Sequence, residues 1–242
     1  MIARHVVGLI ELTPSQLAAA SVSGNSPLTS LDAALIARWI VGFNDAINQT
    51  GKWKFTPVSR MYGGVNDDLG SQDYTAILMG DVNGDWVAPT MLARPVPVLG
   101  GFTKDAVVIE VANKTAAPAS EVVIPVTISN LGGKEVSSYQ FDIEYDPKVI
   151  TPAQLAAEVE GTLGGSLSVV ANAPAPGLLK VVVFGALPAS GDGIYLNLRF
   201  VVTGAAGSSS PLQIREFRLN DGVDETVTMR GTVFVNNVRT VR

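Results

Sequence analysis

With 242 residues, 47% hydrophobic and only 16% charged, the chain is long enough for one large domain or two ordinary ones and too apolar to be disordered. Its net charge of −5 is spread evenly, eight acids against six bases over residues 1–102 and fourteen against eleven over 103–242, so there is no basic tract to attract nucleic acid. Cysteine is absent, which excludes disulfides, thiol catalysis and zinc–thiolate sites, and a Ser-His-Asp triad or His-rich metal site would have to rest on one histidine, His5. His5 therefore reads as a packed or surface helix residue. Met1 to His5 lacks the basic region, long apolar run and small-residue cleavage site of a signal peptide, and no apolar stretch approaches the roughly 20 residues that span a bilayer. The chain reads as soluble, or as a piece cut from something larger.

An internal repeat opens the chain. Ile2-Ala3-Arg4-His5-Val6-Val7-Gly8-Leu9 recurs 34 residues later as Ile36-Ala37-Arg38-Trp39-Ile40-Val41-Gly42-Phe43. The first copy starts abruptly at Met1, which reads as a cut inside a repeat with a preceding loop lost. In the second copy Thr29 or Ser30 can cap a short helix, Asp32 suits its first turn, and Gly42 supplies a left-handed stop. Leu31, Leu35, Ile36, Trp39 and Ile40 fall at helical spacing. That stripe reads as core packed against the first copy, with Trp39 the residue best suited to dock a partner instead.

The loop Ser21 to Asp32 and the following Ala33-Ala34-Leu35-Ile36-Ala37-Arg38-Trp39-Ile40-Val41-Gly42 resemble a type I dockerin repeat, a calcium loop leading into a helix. The resemblance places Ser21, Ser23, Asn25, Thr29 and Asp32 on ligand positions. Ser21 and Ser23 stand where the family has Asp and Asn, leaving Asp32 as the one charge. Affinity in such loops follows the number of charged ligands, so this loop reads as weak or metal-free, its shape kept by hydroxyl hydrogen bonds.

Residues 44–79 carry turns and short apolar pieces, with Trp53-Lys54-Phe55 and Tyr74 to Met79 as β-prone runs. They lead to the most chemically specific stretch, Gly80-Asp81-Val82-Asn83-Gly84-Asp85-Trp86. Side-chain oxygens at alternate positions, Asp81, Asn83 and Asp85, around a glycine turn are what a hard cation such as Ca2+ takes. With Asp81 as the first position, however, the closing carboxylate position falls on Leu92 and the usual turn glycine on Trp86. The motif is an open half-site, for which Asp67, Asp68 and Asp73 are the nearest further carboxylates. The alternative is an Asx-rich turn without metal. Asn48-Gln49-Thr50 and Asn113-Lys114-Thr115 also match the N-glycosylation pattern.

Pro95, Pro97 and the pair Gly100-Gly101 mark an extended linker ending in a hinge. Beyond it the period becomes two. Strands are predicted over 107–111, 121–129, 137–145, 166–170, 178–184, 194–202, 212–219 and 231–235, which indicates an antiparallel sandwich. Tyr139, Phe141, Ile143 and Tyr145 share one face of their strand, predicted to be core, and Gln140, Asp142 and Glu144 share the other. The order of Val108-Ile109-Glu110-Val111, Val123-Ile124-Pro125-Val126-Thr127-Ile128-Ser129-Asn130, Tyr139-Gln140-Phe141-Asp142-Ile143-Glu144-Tyr145-Asp146-Pro147, Ile194-Tyr195-Leu196-Asn197-Leu198-Arg199-Phe200 and Leu219-Asn220-Asp221-Gly222 resembles a cohesin, the jelly-roll partner of dockerins.

The expected architecture is mixed and two-domain. A small, mainly helical, EF-hand-like (dockerin-like) module covers residues 1–92 with a short β insertion at about 44–79. A Pro/Gly linker covers 93–103, and an all-β antiparallel sandwich (cohesin-like jelly roll) covers 104–242. The resemblances imply a non-catalytic scaffold or adhesion module, extracellular or at a bacterial cell surface. It would bind at least one Ca2+ and associate with a protein partner or with itself, up to a head-to-tail filament. Carbohydrate binding is the alternative, weakened because Trp39, Trp53 and Trp86 all precede the sandwich. A glycoside hydrolase comes last, since no pair of carboxylates is set in a recognisable catalytic motif.

Overall fold

The computed structural model describes residues 1–43, 45–64, 70–85, 106–220 and 226–236. The linker over 93–103 and the residues Asp67, Asp68, Trp86 and Leu92 lie outside the described residues.

Three short helices open the chain: α1 (Ile2–Val6), α2 (Pro14–Ala20) and α3 (Ser30–Ile40). The repeat holds at the level of hydrogen bonds. Gly8 and Gly42 both take positive φ, and the wrap-around bond that ends each helix runs from Leu9 N–H to the Arg4 carbonyl at 2.8 Å and from Phe43 N–H to the Arg38 carbonyl at 2.9 Å. Helix α2 is absent from the sequence reading although its start is spelled out. Thr13 is the N-cap, Pro14 the first helical residue, and the Thr13 N–H donates to Gln16 Oε1 at 3.0 Å while the Gln16 N–H donates to Thr13 Oγ1 at 3.4 Å.

The predicted β insertion is a hairpin, β1 (Trp53–Thr56) with β2 (Thr75–Leu78), Trp53 lying opposite Leu78. Its end joins the helices in two small clusters, Val22, Leu31, Leu35 and Met79 in one and Ile2, Leu12, Ala20 and Val82 in the other. The α3 stripe thus divides: Leu31 and Leu35 are core, whereas Trp39 and Ile40 stay exposed. The Trp39 ring lies over Gly51, where an added Cβ would come within 2.7 Å of the ring. Asn48 is buried, donating to the Leu35 carbonyl at 2.9 Å and accepting from both the N–H and hydroxyl of Thr50, so this glycosylation pattern is a loop staple.

The remaining strands are β3 (Val107–Val111), β4 (Lys114–Ala116), β5 (Glu121–Ser129), β6 (Glu135–Glu144), β7 (Ile150–Glu158), β8 (Ser168–Ala175), β9 (Leu178–Ser190), β10 (Gly193–Val202), β11 (Ser209–Leu219), β12 (Thr226–Met229) and β13 (Gly231–Val235). They build two sheets, ordered β12-β3-β5-β10-β7 and β4-β13-β11-β6-β9-β8. Every strand predicted from the period-two pattern is present. Strand β7 escaped that pattern because Ile150-Thr151-Pro152-Ala153-Gln154-Leu155-Ala156-Ala157-Glu158 neither alternates nor favours β structure. It pairs on one side only, with β10.

The expected antiparallel arrangement needs one correction. β12 runs parallel to β3 and β13 runs parallel to β4. The strands that begin and end the sandwich lie side by side and change sheets together, at Ala112–Asn113 and at Arg230. The crossing demands Gly231, since a Cβ there would meet the Val111 and Ala112 carbonyl oxygens at 2.6 and 2.8 Å. Between the sheets lie Ile124, Val126 and Ile128 of β5, Tyr139, Phe141 and Ile143 of β6, and Leu196, Leu198 and Phe200 of β10. At about 1.5–3 kcal/mol for each large apolar side chain removed from water, this core dominates the stability of the chain.

Candidate protein-interaction surface

The register of the six-stranded sheet aligns Arg218, Gln140, Val182 and Val170 across β11, β6, β9 and β8 in one row. Arg215, Asp142, Lys180 and Asn172 form the next row. These side chains point away from the core, because their neighbours Tyr139, Phe141, Val181 and Val183 fill it. Yet Val182 is only 1% exposed. It is covered by α1, whose Ala3, Val6 and Val7 form a cluster with Val170, Val182 and Phe184.

Polar groups of the sheet complete both helices. Gln140 Oε1 accepts the Ser30 N–H at 2.8 Å, one of the donors that a helix N-terminus leaves without an internal partner. Asn172 Nδ2 donates to the Val7 carbonyl at 2.7 Å, at the opposite end of α1. Two turns along α3 from Ser30, Arg38 reaches the Ala186 carbonyl at 3.4 Å. Asp45 holds that guanidinium through both carboxylate oxygens, at 2.8 and 3.1 Å, and the Phe43 ring lies 5.0 Å from its centre. In the row that holds Asn172, Asp142 pairs with Lys180 at 2.6 Å. Both line a cleft of about 520 Å³ between the helices and the sheet. His5 lies at the same cleft, half-buried, with Nδ1 3.2 Å from the Ile10 carbonyl oxygen.

The core-facing side of β6 has different chemistry. Tyr139 stacks on Phe141 and Phe217 and donates its hydroxyl to the Tyr195 carbonyl at 3.1 Å. Burial pushes the Tyr139 phenol well above its ordinary range, with the neighbouring Tyr195 adding to the shift. Tyr195 is pushed up to about 12, by burial first and then by the Asp192 carboxylate. Both phenols are neutral parts of the core. On the opposite sheet Arg199 bridges Glu158 at 2.5 Å and Glu121 at 2.6 Å, and those two hydrogen bonds raise its already high pKa.

Of the predicted metal ligands, the first set is occupied by its own backbone. Asp32 is fully buried, its Oδ1 accepting the Ser23 N–H at 2.9 Å and its Oδ2 the Thr29 N–H at 3.0 Å. Asn25 N–H donates to Ser23 Oγ at 3.2 Å, and Ser21 Oγ donates to the Asn25 carbonyl at 3.3 Å. This donor set does not fit a divalent cation: its one carboxylate is committed to amides and the other side chains are neutral. In the second set Asp81 Oδ1 accepts the N–H groups of Gly84 at 2.9 Å and Asp85 at 3.2 Å, an Asx turn, and Asn83 Nδ2 donates to Asp85 Oδ2. Asp81, Asn83 and Asp85 thus bring two carboxylates and one amide to a single turn, the oxygen-only kind of donor that a hard cation takes. Asp73 is exposed further back on the chain, its carbonyl accepting from Arg60. Among the described residues no group of three or more His, Cys, Asp or Glu is gathered for a metal.

The cohesin domain model matches residues 107–238, more than half of the chain and the whole span of both sheets. The chain belongs to the cohesin family. Cohesin domains are non-catalytic interaction modules, in agreement with the expectation that the chain is not an enzyme. A curated relative is the cellulosomal-scaffolding protein A of Acetivibrio thermocellus, 28% identical over 194 residues. The match covers 72% of this cohesin chain and 10% of that relative, so the chain spans about a tenth of its length. Among solved structures, the sixth cohesin of scaffoldin B from Acetivibrio cellulolyticus, solved in complex with a dockerin, is 21% identical with a TM-score of 0.46, covering 55% of this chain and all of that one. A non-cellulosomal cohesin from the archaeon Archaeoglobus fulgidus is 22% identical with a TM-score of 0.47, covering 56% of this chain and 94% of that one.

In this cohesin the residues on the covered face, Val170, Asn172 and Val182, are missing from the predicted site. A signal for them exists in Val181-Val182-Val183-Phe184. A strand of an antiparallel sandwich with one face in water alternates, and a run apolar at every position announces burial on both faces. Among the described residues no helix is long and apolar enough to cross a membrane.

Proposed function

We propose that the chain is a scaffold module that joins proteins non-covalently, using the outer face of β11-β6-β9-β8 as its contact surface. The observation that carries this reading is Val182, an outward-pointing residue of the sheet buried by helices rather than by the core. The face combines an apolar centre of Val170, Val182 and Phe184 with the helix-capping groups of Gln140 and Asn172, a pattern complementary to a pair of short helices. A dockerin-type helical module is the partner class that suits it; the similar Acetivibrio cellulolyticus cohesin was itself solved in complex with a dockerin. The chain's own α1 to α3 are read as such a module, supported by the 34-residue repeat and its matching helix ends. Calcium is the ion assigned to Asp81, Asn83 and Asp85, where it would tie the end of β2 to α1 and α2, against which Val82 is packed. The similarity to a cellulosomal scaffolding protein supports an extracellular or cell-surface bacterial setting.

Binding of a panel of dockerin modules to the full chain, followed by calorimetry with calcium and with chelator, tests the reading. Capture of at least one module, weakened by substitution of Val182, is the expected result. Failure of every module to bind, both to the natural chain and to a variant with its own helices displaced, overturns it. A carbohydrate-binding reading has one observation in its favour, the half-exposed rings of Trp53, Phe55 and Tyr74 on and beside the β1–β2 hairpin. Retention of the chain on insoluble cellulose, lost on Trp53→Ala, would select it.

A further inference from the structure

Resting on that reading, we infer that the chain regulates this face itself: α1 and α3 are an autoinhibitory cap that lifts from the sheet without unfolding the sandwich, and the face takes a partner only while the cap is off. The cap sits on the groups that a partner needs. Val182, the apolar centre of the face, is 1% exposed, and the polar side chains of Gln140 and Asn172 are taken by Ser30 and Val7. A partner and the chain's own helices therefore exclude each other.

Three features make the cap separable. The helical unit has its own interior, in the clusters around Leu31 and Leu35 and around Ile2 and Val82, and the sandwich has its own between the sheets. The small cluster of Ala3, Val7 and Val182 is what spans the boundary. The polar ties across it are few. Between described residues no ion pair joins the helices to the sheet, and the Arg38 contact with the Ala186 carbonyl, at 3.4 Å, is long for a hydrogen bond. The Ser30 N–H and the Val7 carbonyl are helix-end groups that water satisfies once the helices lift. Finally, the fit is incomplete. The cleft of about 520 Å³ is lined by Glu216 and Arg218, whose side chains have no partner among the described residues, and by Asp142 and Lys180, which pair with each other. The charged part of the face goes unused by the cap. Opening of such a unit costs less than global unfolding. A face that is free about one time in a hundred binds its partner about a hundredfold more weakly than a face that is always free.

Thiol labelling reads the opening with no partner present. The chain contains no cysteine, so Val182→Cys places a single thiol beneath the cap. In a second protein Val126→Cys places one in the core between the sheets, where the natural side chain is fully buried. A small thiol reagent should modify position 182 at least about tenfold faster than position 126, because the cap opens more often than the sandwich. Two further substitutions loosen the cap from the helix side and leave the face intact. Val7→Asp puts a charge into the apolar contact. Ser30→Pro deletes the N–H given to Gln140, at a first helical position where proline is tolerated. Each should speed labelling at position 182 and not at 126. Without the added cysteines, each should also tighten binding of a dockerin module to the full chain by the same factor. Equal labelling at the two positions, or a rate at 182 that neither loosening substitution moves, overturns the inference. Faster labelling with unchanged affinity also overturns it, but leaves the scaffold reading standing. If neither loosened variant captures any module, both fail.

Discussion

Gln140 and Ser30, 110 positions apart, meet where the side-chain oxygen of one accepts the backbone N–H of the other at 2.8 Å. The bond joins the outward-facing row of a sandwich strand to the first turn of a helix. Ser30 is buried, so no solvent replaces the lost acceptor when Gln140 is shortened. Gln140→Ala should cost about 1 kcal/mol and loosen the start of α3, read as faster amide exchange at Ser30 and Leu31 with β6 unchanged. Unchanged exchange at α3 would show that the cap contributes nothing to docking.

Val182→Ala removes two methyl groups from a site with no solvent access. The expected loss is about 1–3 kcal/mol, felt at the helix–sheet contact and not in the core between the sheets. Limited proteolysis reads it: cleavage within residues 1–43 should accelerate, while the sandwich remains resistant. Equal acceleration in both regions would mean that Val182 belongs to the main core.

Asp32→Ala leaves the Ser23 and Thr29 N–H groups without their carboxylate. A loss of about 2–4 kcal/mol is expected, the same in calcium and in chelator, because this loop is closed by its own hydrogen bonds. A loss that appeared only in calcium would restore the loop as an ion site.

Asp81→Ala behaves differently. In chelator it should cost about 1 kcal/mol for the Asx turn. In calcium at a hundred times its dissociation constant the natural chain should gain about 2.7 kcal/mol that the variant lacks. Thermal melts of both proteins with and without calcium give the comparison, and identical calcium shifts would remove Asp81 from the ligand set.

Alkaline stability follows from the buried phenols. A tyrosine whose folded pKa is raised stays protonated in the fold while the unfolded chain ionises, so its contribution is complete below about pH 10. For Tyr195 that contribution is lost as pH climbs from there through about 12. Denaturant midpoints should therefore fall progressively above pH 10. Tyr139→Phe should flatten the fall at a cost of only about 1 kcal/mol at neutral pH, since the Tyr195 carbonyl keeps the Thr162 hydroxyl at 3.0 Å. A midpoint independent of pH up to 12 would contradict the assignment.

Much of this protein is local in origin. Alternation placed eight strands of the sandwich and separated the Tyr139, Phe141 and Ile143 face from the Gln140 and Asp142 face, because burial on one side of a strand imposes period two. The repeat from Ile2 to Ile36 marked two helices with the same glycine stop. Thr13-Pro14-Ser15-Gln16 carried the start of α2 just as openly. What no local rule contains is a contact between distant positions. Strand β7 exists because β10 pairs with it, against its own composition, and the parallel pairs β3–β12 and β4–β13 exist because the two ends of the sandwich run together. Asp32 was legible as a polar loop residue, but which partners its oxygens take depended on where the loop closed. The covered face is the clearest case. Residues such as Val182 and Asn172 become an interaction surface only when the register of the sheet lines them up and a helical unit encoded more than a hundred positions earlier settles on them, so tertiary structure alone decided the candidate site.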